Sequence, residues 1–139
     1  MSVVVAKDCR AVTLGQLSKR YMAKHNELGN QGEEIAVQYL TDKGYEILER
    51  NWRNIHKEID IIAKDGKVLV IVEVKTRQTD EYGNPDFAVT RRKQRMLIAA
   101  ANAYISKNNI DVETRFDIIS IFFRDGEPII EHIEDAFLP

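Results

Sequence analysis

The spacing of apolar and polar positions changes along this chain and marks out its elements. Ile35, Val37, Tyr39 and Leu40, with small Ala36 between them, predict a helix over 31–43. Gly29, Asn30 and Gly32 form a breaker cluster before it, and Gly44 stands where a left-handed residue closes a helix. Tyr45, Ile47 and Leu48 begin an extended run that ends near Trp52, and 58–64 reads as a strand. Asp65-Gly66 is a tight-turn pair, and 67–75 follows as a second strand. Its continuous run Val68, Leu69, Val70, Ile71, Val72 predicts a central strand covered on both faces. A polar loop with Gly83 and Pro85 spans 76–85. A helix capped by Thr90 then fills 90–107, with Met96, Leu97, Ala100, Ala101, Tyr104 and Ile105 as its buried stripe and Asn108-Asn109 at its end. The chain closes with a strand over 112–123, an Asp125-Gly126 turn and a strand over 129–133.

That order, helix, three strands, helix, two strands, predicts an α/β domain in which a mixed sheet is flanked by helices. It occupies 29–139. Residues 1–28 show no sustained period and read as an N-terminal arm, with Met22 as a second candidate start and 1–21 as an added or loosely ordered extension. No internal repeat or low-complexity segment interrupts the pattern.

Composition narrows the chemistry. The 139 residues suit one domain, and 44% hydrophobic with 30% charged residues can bury a core and keep a polar surface. No apolar run approaches the roughly 20 residues of a membrane helix, and Val3-Val4-Val5 is too short for the apolar core of a secretory signal, so a cytoplasmic protein is expected. Cys9 is the single cysteine, and His25, His56 and His132 lack metal-ligand spacing, which excludes a soft-ligand metal site. Any metal would be a hard cation held by carboxylates. The net charge of −2 leans against a general nucleic-acid binder, but Arg50, Arg53 and Lys57 cluster, as do Arg91, Arg92, Lys93 and Arg95.

The candidate chemistry lies in the two strands around Asp65-Gly66. By strand alternation Glu58 and Asp60 share one face, as do Glu73 and Lys75. The hairpin sets the strands side by side and brings Asp60 and Glu73 to neighbouring positions, although the pattern does not fix the register. Two such carboxylates repel one another, and a divalent cation turns the conflict into a site. Mg²⁺ or Mn²⁺ there would polarise a phosphodiester and activate a water, while Lys75 would orient that water or steady the developing charge. The plain alternative is a solvated strand end or a cross-strand ion pair.

The motifs Gly32-Glu33-x-x-Ala36, Glu58-Ile59-Asp60, Glu73-Val74-Lys75-Thr76-Arg77, Lys93-Gln94-Arg95 and Arg115-Phe116-Asp117 resemble the YraN-type family of small bacterial proteins. That family resembles Holliday junction resolvases of the PD-(D/E)xK nuclease superfamily, and the resemblance spans 28–133. It implies a restriction-endonuclease-like fold, Asp60 and Glu73 as metal ligands with Glu58 beside them, Lys75 as the catalytic lysine, and Glu33 as an additional acid on the first helix. It also brings Lys93 and Gln94 toward the site. Lys57 stands where the family usually has glycine, which alters the entry to the strand and leaves the acids in place.

Other residues carry two readings. Arg77 is a phosphate contact or a polar loop residue, and Arg91, Lys93 and their neighbours are phosphate contacts or a solvated face. Their charges oppose the helix macrodipole, a local cost that favours function. Trp52 and Tyr82 suit base stacking or ordinary packing. Asp117 reads as a paired structural acid and His56 as a surface residue.

The expected function is a Mg²⁺- or Mn²⁺-dependent DNA endonuclease acting on branched or damaged DNA, for which a homodimer would suit two-strand cleavage. The alternatives are a non-catalytic nucleic-acid-binding module and a protein-interaction domain that keep the same fold.

Overall fold

A computed structural model describes residues 2–5, 20–77 and 89–139. The elements are β1 (Ser2–Val5), α1 (Arg20–Asp42), β2 (Glu46–Asn54), β3 (Lys57–Asp65), β4 (Val68–Arg77), α2 (Arg91–Asn108), β5 (Thr114–Arg124) and β6 (Glu127–Ile133). They form one mixed sheet in the order β1-β6-β5-β4-β3-β2. From α1 onward the order is the expected helix, three strands, helix, two strands.

β4 shows why the sheet needs two layers of cover. Leu69 and Ile71 join Ile62, Phe116 and Ile118 in a core with Leu97, Ala100, Ala101 and Tyr104 of α2. Val70 and Val72 join Ile61, Ala63, Ile119 and Ile121 in a second core with Ala36 and Leu40 of α1. Successive residues thus enter opposite cores, so the strand must be apolar at every step. β4 and β5 run parallel, with Ile71 beside Phe116, while the other neighbours are antiparallel. A parallel pair needs a long crossover, and α2 lies within it.

Several boundaries follow local chemistry. The Thr90 hydroxyl accepts the Lys93 N–H at 3.2 Å and caps α2, and Asn109 ends it in the left-handed region. Gly44 closes α1 at φ 95°, with the Tyr45 N–H donating to the Leu40 carbonyl at 2.9 Å. Asp65 pairs with Val68, so Gly66 and Lys67 make the turn, one residue later than Asp65-Gly66 suggests.

Other features depart from expectation. α1 starts at Arg20 and runs through Gly29, Asn30 and Gly32, so the boundary drawn between residues 28 and 29 falls inside a helix. Each helical glycine costs only about 1 kcal/mol, which packing of the rest of the helix offsets. A Cβ at Gly32 would collide with the Thr76 side chain; the glycine lets α1 meet the end of β4. Met96 is exposed, unlike the rest of its stripe, and Val112 lies outside β5 and is exposed. Ser2–Val5, read as part of an irregular arm, pairs with β6 from Ser2↔His132 to Val5↔Ile129. Arg77 belongs to β4 rather than to a loop, while Cys9, Met22's side chain and Tyr82 lie outside what is described.

Candidate active site

β3 and β4 pair from Asp65↔Val68 to Ile61↔Val72, and the register stops there although both strands continue. At the next position the Asp60 carboxylate accepts the Val74 N–H at 2.9 Å. Main-chain N–H groups point along the plane of a sheet, so Asp60 sits at the fork where the strands part.

The alternation of β2 and β3 also resets at this level. Arg50 pairs with Glu34 of α1 at 2.7 Å, whereas Trp52 packs edge-on against Tyr104 of α2, with centroids 5.4 Å apart. In step with them, Ile61 opposite Arg50 lies in the α1 core and Ile59 opposite Trp52 in the α2 core. A regular strand would put each such pair on one face. Between them stand Asp60 and Asn51, the latter at φ 50°. A left-handed residue inside a strand adds sharp local twist.

This reset corrects the expectation that Glu58 shares the face of Asp60. Glu58 is exposed and pairs with Arg53 at 3.3 Å, outside the acid cluster. Trp52 is half-buried core packing rather than a free stacking platform.

Glu73 lies on β4 with a 12% exposed side chain, and Lys93 of α2 approaches it at 3.5 Å. Burial, then the negative charge of Glu73, pushes the Asp60 carboxyl up to about 7, with Glu33 of α1 adding to the rise. Burial raises Glu73 as well, and Lys93 and a hydrogen bond with Asp60 partly offset this. Both carboxyls are thus shifted upward where the two side chains meet. Lys75 follows Glu73 by two residues in β4, and its charge also favours ionised Glu73. Asp60 and Glu73 thus meet, Lys93 stands beside Glu73, and Glu33 of α1 and Lys75 of β4 act on the pair through their charges.

The remaining candidates sit around this cluster. The Gln94 amide donates to the Val89 carbonyl at 2.9 Å, which fixes the approach to α2. Arg91, Arg92 and Arg95 are exposed on the first turns of α2, where no acid accompanies them. Arg77 ends β4 beside Phe122 and is half-buried. His56 is exposed at the β2–β3 turn, as expected of a surface residue.

The donor set suits a hard cation. Among the described residues no three His, Cys, Asp or Glu side chains gather to hold a metal. Asp60 and Glu73 would supply two carboxylates, the number that Mg²⁺ commonly takes while keeping several waters. A cation between them would relieve their mutual repulsion.

A second polar cluster was only half legible. Asp117 is the paired structural acid expected, with Arg115 donating at 2.9 and 3.0 Å, the Asp135 N–H at 3.0 Å and His132 at 2.7 Å. His132, passed over as a scattered histidine, is fully buried, with Tyr39 and Lys43 at 3.3 and 3.4 Å from its Nδ1. It lies within the strand read over 129–133, but its partner Asp117 follows from the alignment of β5 and β6.

Comparison with known proteins agrees with the earlier resemblance. A UPF0102 protein of Christiangramia forsetii is 53% identical over 116 residues, covering 84% of this chain and 98% of the relative. UPF0102 proteins of Phocaeicola vulgatus and Geobacter metallireducens are 49% and 51% identical over 118 residues, covering 85% and 84% of this chain and 98% and 97% of the relatives. The model of the uncharacterised protein family UPF0102 matches residues 32–121, the stretch that holds Glu33, Asp60, Glu73, Lys75 and Lys93, and the chain belongs to that family.

Proposed function

We propose that this protein is a divalent-metal-dependent DNA endonuclease whose centre is the Asp60–Glu73 pair. The observation that carries this reading is the meeting of two partly buried carboxyls, both shifted upward, at the point where β3 and β4 separate. A structural acid pair buried without a use would be costly to keep charged. Here lysines surround it, and a fork between strands gives access.

Asp60 and Glu73 would hold Mg²⁺ or Mn²⁺, which would supply Lewis-acid polarisation of a phosphodiester and an activated water. Val74 fixes one Asp60 oxygen through its N–H and leaves the rest of the carboxylate for the cation. Lys75 orients the attacking water or steadies charge that develops on the phosphate. Lys93 balances Glu73 and, once a cation takes over that task, is free to meet a phosphate oxygen. Arg91, Arg92 and Arg95 extend the positive surface for the backbone, with Arg77 and Gln94 supporting its edge. Glu33 adds negative charge on the α1 side and strengthens cation binding.

The substrate on this reading is branched or damaged DNA, and the place of action is the cytoplasm. No described helix is long and apolar enough to cross a membrane. A homodimer would supply the second cut on two-stranded substrates.

The test is a cleavage screen with Mn²⁺ and Mg²⁺ over junction, nicked and single-stranded DNA, using wild type and Asp60→Asn. Cleavage by wild type and its loss in the variant is the expected result. Binding of DNA with no cleavage under either metal would instead make the protein a non-catalytic binding module.

A further inference from the structure

The β2–β3 hairpin carries a residue that neither burial nor local geometry explains. Asn54 pairs with Lys57, so Ile55 and His56 form a two-residue turn. Ile55 has φ 56°, a region where such turns place glycine or asparagine and where a β-branched residue is a true outlier. Its side chain is 88% exposed. Conformation and solvation both disfavour isoleucine there.

The surroundings point to a polyanion. Residues 50–57 contain Arg50, Arg53 and Lys57; Arg50 pairs with Glu34, and Arg53 with Glu58 at 3.3 Å, the latter an exposed pair that a phosphate can displace. The turn also shares one end of the sheet with the candidate site, because β4 is antiparallel to β3 and its last residues run toward the turn. β3 covers the three steps from Lys57 to Asp60 in about 10 Å, a reach of about three base steps. The turn therefore lies within about three base steps of a phosphate held at Asp60 and Glu73.

We propose that Ile55 is a wedge that inserts into the base stack of bound DNA while Arg53 and Lys57 engage the phosphates beside it. Apolar side chains used in this way unstack one base step and kink the duplex. The strained turn holds the side chain outward, away from the sheet. An apolar protein partner would be recognised by Ile55 alone and would make no use of the cations. The proposal rests on the nuclease reading for its DNA partner.

The test places 2-aminopurine at successive positions in a nicked duplex and follows its fluorescence on binding, in Ca²⁺ so that cleavage does not consume the DNA. Wild type should raise the fluorescence several-fold at one step. Ile55→Gly should lose that signal and bind about tenfold more weakly, with melting temperature unchanged or raised because glycine suits the turn. Ile55→Asn, which also tolerates positive φ, should behave as Ile55→Gly does, and Ile55→Met should keep the signal. Wild type that binds or cuts DNA without a signal, or either polar or glycine variant that keeps both signal and affinity, overturns the wedge and leaves the nuclease reading standing. Wild type that neither binds nor cuts any DNA overturns both.

Discussion

The Asp60 carboxylate accepts the Val74 N–H at 2.9 Å, just beyond the last paired residues of β3 and β4, Ile61 and Val72. A side chain thus takes over at the fork from the main-chain pairing. The contact fixes Asp60 against the strand that bears Glu73 and Lys75 and makes their separation a property of the sheet.

Proton and metal should compete at this pair. Burial and the charge of Glu73 push the Asp60 carboxyl up to about 7, above the roughly 3.9 of an unfolded aspartate. Between those values the native state holds a proton that the unfolded state has released. Metal-free stability should therefore fall as pH rises from about 4 to about 7 and level off above. Mn²⁺ affinity should rise over the upper part of that window, by up to about tenfold per pH unit, because binding must displace the proton. Urea unfolding and calorimetry across pH measure the two trends, and Asp60→Asn should weaken both, leaving the smaller part that comes from buried Glu73.

Lys75 should matter to turnover more than to metal binding. Lys75→Met should lower cleavage about 10²- to 10³-fold, the usual cost of one preorganised electrostatic group. Mn²⁺ affinity should hold or rise, because a nearby positive charge is gone. A variant that cleaves at the wild-type rate would remove Lys75 from the proposed mechanism.

Two glycines of α1 should respond oppositely to alanine. Nothing lies within 4 Å of a Cβ at Gly29, so Gly29→Ala should stabilise by about 1 kcal/mol through helix propensity. At Gly32 the added methyl meets Thr76, and overpacking of about 1–3 kcal/mol opposes that gain. Gly32→Ala should be the less stable of the two, and Thr76→Ala in the same chain should recover part of the difference, because it removes the hydroxyl that the added methyl meets first. A double-mutant cycle by thermal unfolding measures the coupling.

The Asp117 network should govern acid stability without touching the metal. Burial alone would raise the Asp117 carboxyl, but hydrogen bonds from His132, Arg115 and the Asp135 N–H bring it below the usual carboxylate range. Its contribution is present above about pH 4 and is lost as pH falls through the depressed native value. Asp117→Asn leaves Arg115 without its main partner and should cost about 3–5 kcal/mol at neutral pH, with a flatter acid limb. Mn²⁺ affinity should stay unchanged, since Asp117 lies with the α1-side cluster and Glu73 faces α2.

The pattern of residues marked the second half of α1 and the elements from β2 to β6, and it singled out Asp60, Glu73 and Lys75 as candidates. Those features are local: the run Val68–Val72, the Thr90 cap, the Gly44 stop and an acid at the end of an apolar strand each speak through a few neighbouring residues. Tertiary structure decided what depends on partners far along the chain. Gly32 looks like a helix breaker until Thr76 packs against it. Glu58 looks like a companion of Asp60 until the left-handed Asn51 resets the strand faces and Arg53 takes it. The family resemblance brought Lys93 toward the site, and the seating of α2 on the sheet put its amine beside Glu73. His132 and Asp117 are 15 residues apart and became a pair because β5 and β6 align. A period in sequence reports which face a residue prefers; which charges share a site is settled by strand register and helix docking, and those follow from burying both cores at once.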